Sequence, residues 1–142
     1  MPRPYIADAL RRKVMEDAQY RCGYCLTSQR ITAMPMHIEH LIPLAAGGTS
    51  DEENLWLACP LCNAAKGTRM RYPDPATGAD APLFNPRRDV WSAHFRWSEN
   101  GVEIIGLTPC GRATVVALKL NNEHLTRARR RWALAGWHPP TH

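Results

Sequence analysis

The chain has 142 residues, 44% of them hydrophobic, which suits one ordinary domain or a small domain with an appendage. Lys and Arg outnumber Asp and Glu by 18 to 13, a modest positive balance that favours a polyanionic partner without naming one. There is no run of about 18 apolar residues and no apolar segment behind the basic start, which argues against a membrane span and a secretory signal; a soluble, cytoplasmic protein with no membrane partner is expected.

Ala7, Leu10, Val14 and Ala18 recur at helical spacing with charges opposite them, predicting a helix over about 7–18 with Pro4 outside its start. It delivers RCGYC, where Gly23 sits at the point of a metal knuckle that needs a permissive backbone. A strand is expected from about Met34 to Pro43, yet it carries His37, Glu39 and His40. Burying titratable groups is expensive unless a partner or a metal compensates them, so this run marks a site. The turn AAGGTSDEEN leads to a short apolar strand, LWLAC, and CPLCNAAKG reads as a helix opening near Leu61 and stopping at Gly67. Residues 68–88, rich in Pro, Gly and Asp, read as a connector able to sustain neither helix nor strand. VWSAHFRWS, the ENG turn and VEIIGLT suggest a hairpin with Trp91, Phe95 and Trp97 on an apolar face and His94 and Arg96 on the other. Thr108 or Thr114 caps a helix through VVALKL, and a last helix from about Asn122 to Ala135 ends at Gly136.

Four of the five cysteines fall into two CxxC pairs, Cys22 with Cys25 and Cys59 with Cys62, which supply the four soft thiolates of a closed, tetrahedral structural zinc. Such an ion has no open position for chemistry. Its expected work is to staple the ends of the intervening segment and hold Asn63 against the strand bearing Glu39 and His40. Cys110 reads as a small buried apolar residue.

The stretch IEHLIPLAAGGTSDEENLWLACPLCNAAKG, Ile38 to Gly67, resembles the HNH nuclease motif in its four-cysteine zinc form. That motif has an acidic residue and a histidine on the first strand of a ββα-metal core, an asparagine in the loop, and a histidine or asparagine on the helix. Glu39 and His40, Asn54, and Asn63 match it in order. The resemblance implies that Glu39 and Asn63 bind a catalytic divalent cation through oxygen, that His40 is the general base, and that Asn54 orients the loop and with it the histidine. An oxygen pair of this kind suits Mg²⁺ or Mn²⁺ rather than the zinc that thiolates prefer. Imidazole, with an ordinary pKa of about 6.5, can take a proton from water near neutral pH. Lys66 and Arg69 are placed to meet DNA phosphates. His37 shares a strand face with Glu39 and is an extra ligand or phosphate contact, or else a locally packed histidine. Asn at the last motif position removes a nitrogen ligand. Adjacent strand residues face opposite ways, so Glu39 and His40 converge on one phosphate only if the strand is irregular or the substrate spans the gap.

The second half resembles the C-terminal extension of many stand-alone bacterial HNH proteins and carries no chemistry of its own that the sequence identifies. Arg127, Arg130 and Arg131 form a broad helical stripe, either a solvated face or a track for the DNA backbone. The expected architecture is α+β: a ββα-metal core with zinc knuckles at 1–70, a connector at 71–90, and a hairpin-plus-helices extension at 91–142. The expected function is metal-dependent hydrolysis of double-stranded DNA, with a homodimer as one route to cutting both strands. The alternatives are a zinc-stabilised nucleic-acid-binding module without cleavage, and a protein-interaction knuckle in which Glu39, His40 and Asn63 coincide by chance.

Overall fold

A computed structural model describes residues 5–140; Pro4 lies outside them. The chain divides into two compact units, the first running to Thr68 and taking in Asn85–Arg88, the second comprising Arg69–Phe84 and the chain from Asp89 onward. No helix among the described residues is long and apolar enough to cross a membrane.

In the first unit, helix α1 (Asp8–Asp17) follows the expected periodicity and buries Val14 completely. Val14 packs with Ile6 and Leu55, and Leu10 and Ile38 close around them. Each such side chain contributes about 1.5–3 kcal/mol on burial, so this small cluster leaves room for a metal staple to matter. A single turn, α2 (Gln29–Thr32), starts where Ser28 Oγ accepts from Arg30 N. Strands β1 (His37–His40) and β2 (Leu55–Ala58) pair antiparallel, His37 opposite Ala58 and His40 opposite Leu55. Helix α3 (Pro60–Lys66) follows at once, with Pro60 at its first position and Gly67 just beyond its end at φ +56°. These three elements make a ββα unit. The β1 strand is shorter than the expected 34–43; Pro35 and Pro43, which have no N–H to donate, bracket it.

Gly23 has a different reason for being glycine from the one its sequence context suggests. It is not among the residues with positive φ. Instead a Cβ there would stand 2.4 Å from Trp56 Cδ1 and 2.8 Å from Pro86 Cβ, so close approach excludes a side chain.

The second unit corrects the connector expectation. Strands β3 (Arg71–Pro73) and β4 (Asp80–Pro82) form an antiparallel hairpin within it. Its prolines sit at the last residue of each strand, where a missing N–H costs little, and its turn is tied by Asp74, whose backbone N–H donates to Ala79 O and whose Oδ1 accepts from Ala76 N. The chain then makes a short helix, α4 (Trp91–His94), before β5 (Phe95–Trp97), which pairs with β6 (Ile104–Gly106). Trp91 and His94 therefore stand on a helical turn rather than on the expected strand, although Trp91 still stacks 5.2 Å from Phe95 and 5.4 Å from Trp97. Thr108 is the cap of α5 (Pro109–Ala117), accepting from Gly111 N, whereas Thr114 is buried inside that helix and donates to Cys110 O. Helix α6 (Glu123–Leu134) begins at its Asn122 cap, with Gly136 in a positive-φ conformation after its end.

Asp74 is fully enclosed and its carboxylate accepts two bonds from Arg112, at 2.9 and 2.8 Å. This pairing, helped by Ala76 N–H, holds its carboxyl at about 2, below its ordinary 3.8. A folded-state value below the unfolded one means that the stabilisation is complete above about pH 4 and is lost as pH falls toward 2. In Asp74→Asn we expect a lower denaturant midpoint than native at pH 6 and a gap that narrows toward pH 2, followed by circular dichroism; a gap of constant size would contradict this assignment.

Candidate functional site

The four CxxC sulfurs are buried and lie within 4.8 Å of one another, with Cys25 Sγ and Cys59 Sγ 3.7 Å apart. Local backbone builds the set. Cys22 N donates to Thr27 O to close the first knuckle, and Gly23 N to Leu57 O fastens it beside β2. Cys59 is the N-cap of α3, and its Sγ accepts from Cys62 N at 3.3 Å, while Tyr24 N points to Cys22 Sγ at 3.5 Å. N–H groups aimed at sulfur stabilise the thiolate form that a metal needs. The four thiols cannot all ionise on their own: burial pushes Cys22 well up, while hydrogen bonds from the neighbouring thiols pull Cys25 well down. A divalent ion resolves this competition, and four sulfurs at these separations fit zinc.

Beside this frame lies a cleft of about 430 Å³, walled by His37, Glu39 and His40 from β1, Asn63 from α3, and Arg11 from α1. The β1–β2 register is regular, so no bulge turns Glu39 and His40 to one side. Both reach the cleft because His40 ends the strand, and its Nε2 stands 3.0 Å from Ser50 Oγ in the following loop.

Asn54 fixes that loop with every polar atom of its side chain. Oδ1 accepts from Ile42 N at 2.8 Å, and Nδ2 donates to Ile42 O at 3.0 Å and Thr49 O at 2.7 Å. Its own carbonyl accepts from Leu41 N. Its hydrogen-bonding capacity is spent on the segment between His40 and Ser50.

Glu39 is 6% exposed and Lys66 3%, and the Lys66 ammonium lies 2.7 Å from Glu39 Oε1. Tyr24, also fully buried, faces the same carboxylate, and burial together with that negative charge raises its phenol well above the ordinary value. Lys66 therefore does not reach solvent as expected of a phosphate contact. It sits one helical turn after Asn63, on the side of α3 packed toward β1, and neutralises Glu39 from within.

His37, another expected phosphate contact, stands on the cleft wall, and the expected arginine contacts lie in the second unit. Arg69 is exposed, with its guanidinium over the Tyr72 ring. Arg127, Arg130 and Arg131 are exposed on α6, and Arg127 pairs with Glu123 one turn earlier. Their neighbour Arg129 is fully buried, donating to Leu120 O at 2.7 Å and Val102 O at 3.1 Å. Arg11 and Ser50 were not identified from sequence. Helical spacing puts Arg11 one residue from the half-buried Leu10, a signal for a flank of the packed face but not for a cleft, and nothing in a Ser-Asp turn singles out Ser50 as a histidine partner.

The family model described as HNH endonuclease matches residues 22–69, a span that begins at Cys22 and contains Glu39, His40, Asn54 and Asn63. No curated protein and no solved structure matches the chain. The matched segment, about a third of the chain, is similar to an HNH domain, which suggests nuclease-type, nucleic-acid-directed function.

Replacing Lys66 by Met leaves Glu39 charged, buried and without its cation. Breaking a buried pair from one side costs about 3–5 kcal/mol, and the loss should show as a lower denaturant midpoint in Lys66→Met. A Glu39→Gln, Lys66→Met double variant should recover most of it; no recovery would mean that the pair contributes by packing alone.

Proposed function

We propose that the chain is a metal-dependent endonuclease that hydrolyses phosphodiester bonds of double-stranded DNA. The observation supporting this reading best is the convergence of Glu39, His40 and Asn63 on one cleft beside the thiolate frame. Glu39 and Asn63 offer a carboxylate and an amide oxygen, a hard pair suited to Mg²⁺ or Mn²⁺. Bound there, such an ion would supply Lewis-acid stabilisation of charge on the phosphate and the departing 3′ oxygen. His40 takes the proton of the attacking water; if its Nε2–H is donated to Ser50 Oγ, the basic lone pair falls on Nδ1. Asn54 is a positioning residue, holding the loop that carries Ser50. Arg11, exposed at the cleft wall, is the cation best placed to meet a phosphate, in the part first given to Lys66. His37 shares that wall and serves as a further phosphate contact or ligand. Arg69, Arg127, Arg130 and Arg131 add non-specific attraction to DNA. Since the chain has one such cleft among its described residues, a double-strand cut requires a second copy or a second visit.

One observation favours a different reading. Lys66 already gives Glu39 a counter-cation at 2.7 Å, which suits a zinc-stabilised module that binds nucleic acid without cutting it. A supercoiled-plasmid assay with Mg²⁺ or Mn²⁺, with and without chelator, separates the two. We expect metal-dependent relaxation by the native chain and a loss of at least about 100-fold in His40→Ala, with DNA retention unchanged. Retention with no cutting under any divalent ion would establish the binding module, and cutting by a folded His40→Ala variant would reject the base assignment.

Arg11→Ala should raise KM for a short duplex with little change in kcat, and should lower the salt dependence of binding by about one phosphate contact. A change in kcat alone would place Arg11 in the chemistry instead.

A further inference from the structure

A second group of potential metal ligands, in the second unit, is made of residues the nuclease reading does not use. Asp89, His94 and Cys110 each present a ligand atom, and the three atoms lie within 4.8 Å of one another. They come from three places: the residue ahead of α4 by two, the last residue of α4, and the first turn of α5. From these residues the geometry points to a second, zinc-class metal site, with three protein ligands and a fourth position filled by water.

The scaffold around these residues is tightly tied. Thr108 Oγ1 accepts from Gly111 N to cap α5 and stands 2.7 Å from His94 Nδ1, so one hydroxyl fixes both the imidazole and the helix start bearing Cys110. Leu107 N donates to His94 O at 2.8 Å. Gly111 is required here by close approach: a Cβ on it would stand 2.1 Å from His94 O. Any larger residue would push the start of α5, and Cys110 with it, away from His94. Phe84 holds the other side of the imidazole edge-on, with centroids 5.8 Å apart.

The donor set selects the ion. One thiolate, one imidazole nitrogen and one carboxylate oxygen suit Zn²⁺ and its surrogates Co²⁺ and Cd²⁺, and not Mg²⁺ or Ca²⁺. Tetrahedral bonds of about 2.0–2.3 Å space ligand atoms about 3.5 Å apart, so side-chain adjustments of about 1 Å suffice. Cys110 is 8% exposed while Asp89 and His94 are half-buried, so the sulfur is shielded and the other two ligands reach toward solvent. Three ligands with a water-filled fourth position form an exchangeable site rather than a closed structural one.

The test is a Cd²⁺ titration of the full chain, read by sulfur-to-metal charge-transfer absorbance. An ion held by Glu39 and Asn63 has no sulfur ligand and is silent in this signal. We expect a first equivalent at the four-cysteine site, then a second step that adds about a quarter to the absorbance, one thiolate to four. Cys110→Ala should lose the second step and keep the first. Asp89→Asn, nearly isosteric and therefore expected to fold even if Cys110→Ala does not, should weaken the second step at least about tenfold. Saturation of the native chain at one equivalent, or a second step that survives in Cys110→Ala, would overturn the proposal.

Discussion

Four buried sulfurs that cannot all be charged without a cation are the constraint on which the first unit turns. The apolar cluster around Val14 is small, and β1 and β2 pair over only four residues each. Zinc bound by thiolates adds binding free energy that is folding free energy, because the site does not exist in the unfolded chain. It also sets geometry. Cys59 caps α3 and Cys62 lies within its first turn, so an ion held by the four sulfurs would fix that helix at its N-terminal end. Asn63 is the next residue, and Lys66 follows one turn later. The position of both against β1 is thus decided by the same four sulfurs.

Glu39 shows what this frame makes tolerable. A carboxylate that is 6% exposed is costly to bury unless a partner compensates it. Here the Lys66 ammonium lies 2.7 Å away, and the phenol of Tyr24, which comes from inside the first knuckle, faces the same group. The ion pair gives the buried carboxylate a partner at the edge of the cleft.

The features legible in the sequence are those carried by local periodicity or by residue chemistry with few alternatives. The spacing of Leu10 and Val14 gives α1, two CxxC pairs give the thiolate set, Asn122 marks the start of α6, and Thr108, one of two candidates, caps α5. What was not legible depends on partners distant in sequence. Nothing around Lys66 says that its ammonium meets Glu39, and nothing in RARRRW distinguishes the buried Arg129 from its exposed neighbours. The β3–β4 hairpin was hidden by its prolines, which are disfavoured within strands but acceptable at the ends of a two-stranded sheet. Gly23 was found for the wrong reason, since sequence reveals a missing Cβ but not the Trp56 ring that occupies its place.

Arg129 belongs to a wider pattern. All three sheets among the described residues have two strands, so many backbone groups lie on edges and in long loops without a neighbouring strand. Buried or half-buried side chains supply the missing partners. Asn54 binds both backbone groups of Ile42, and Asn121 does the same for Ile104, donating to its oxygen at 2.9 Å and accepting from its nitrogen at 2.7 Å. Arg129 gathers the carbonyls of Val102 and Leu120 and also reaches Asn121 Oδ1. In each case a planar amide or guanidinium pairs with backbone groups, most of them outside the strands, that no neighbouring strand reaches. Leaving such groups buried and unmatched costs about 1–3 kcal/mol each, so the polarity that makes these residues look like surface or site residues in the sequence is what suits them to the interior.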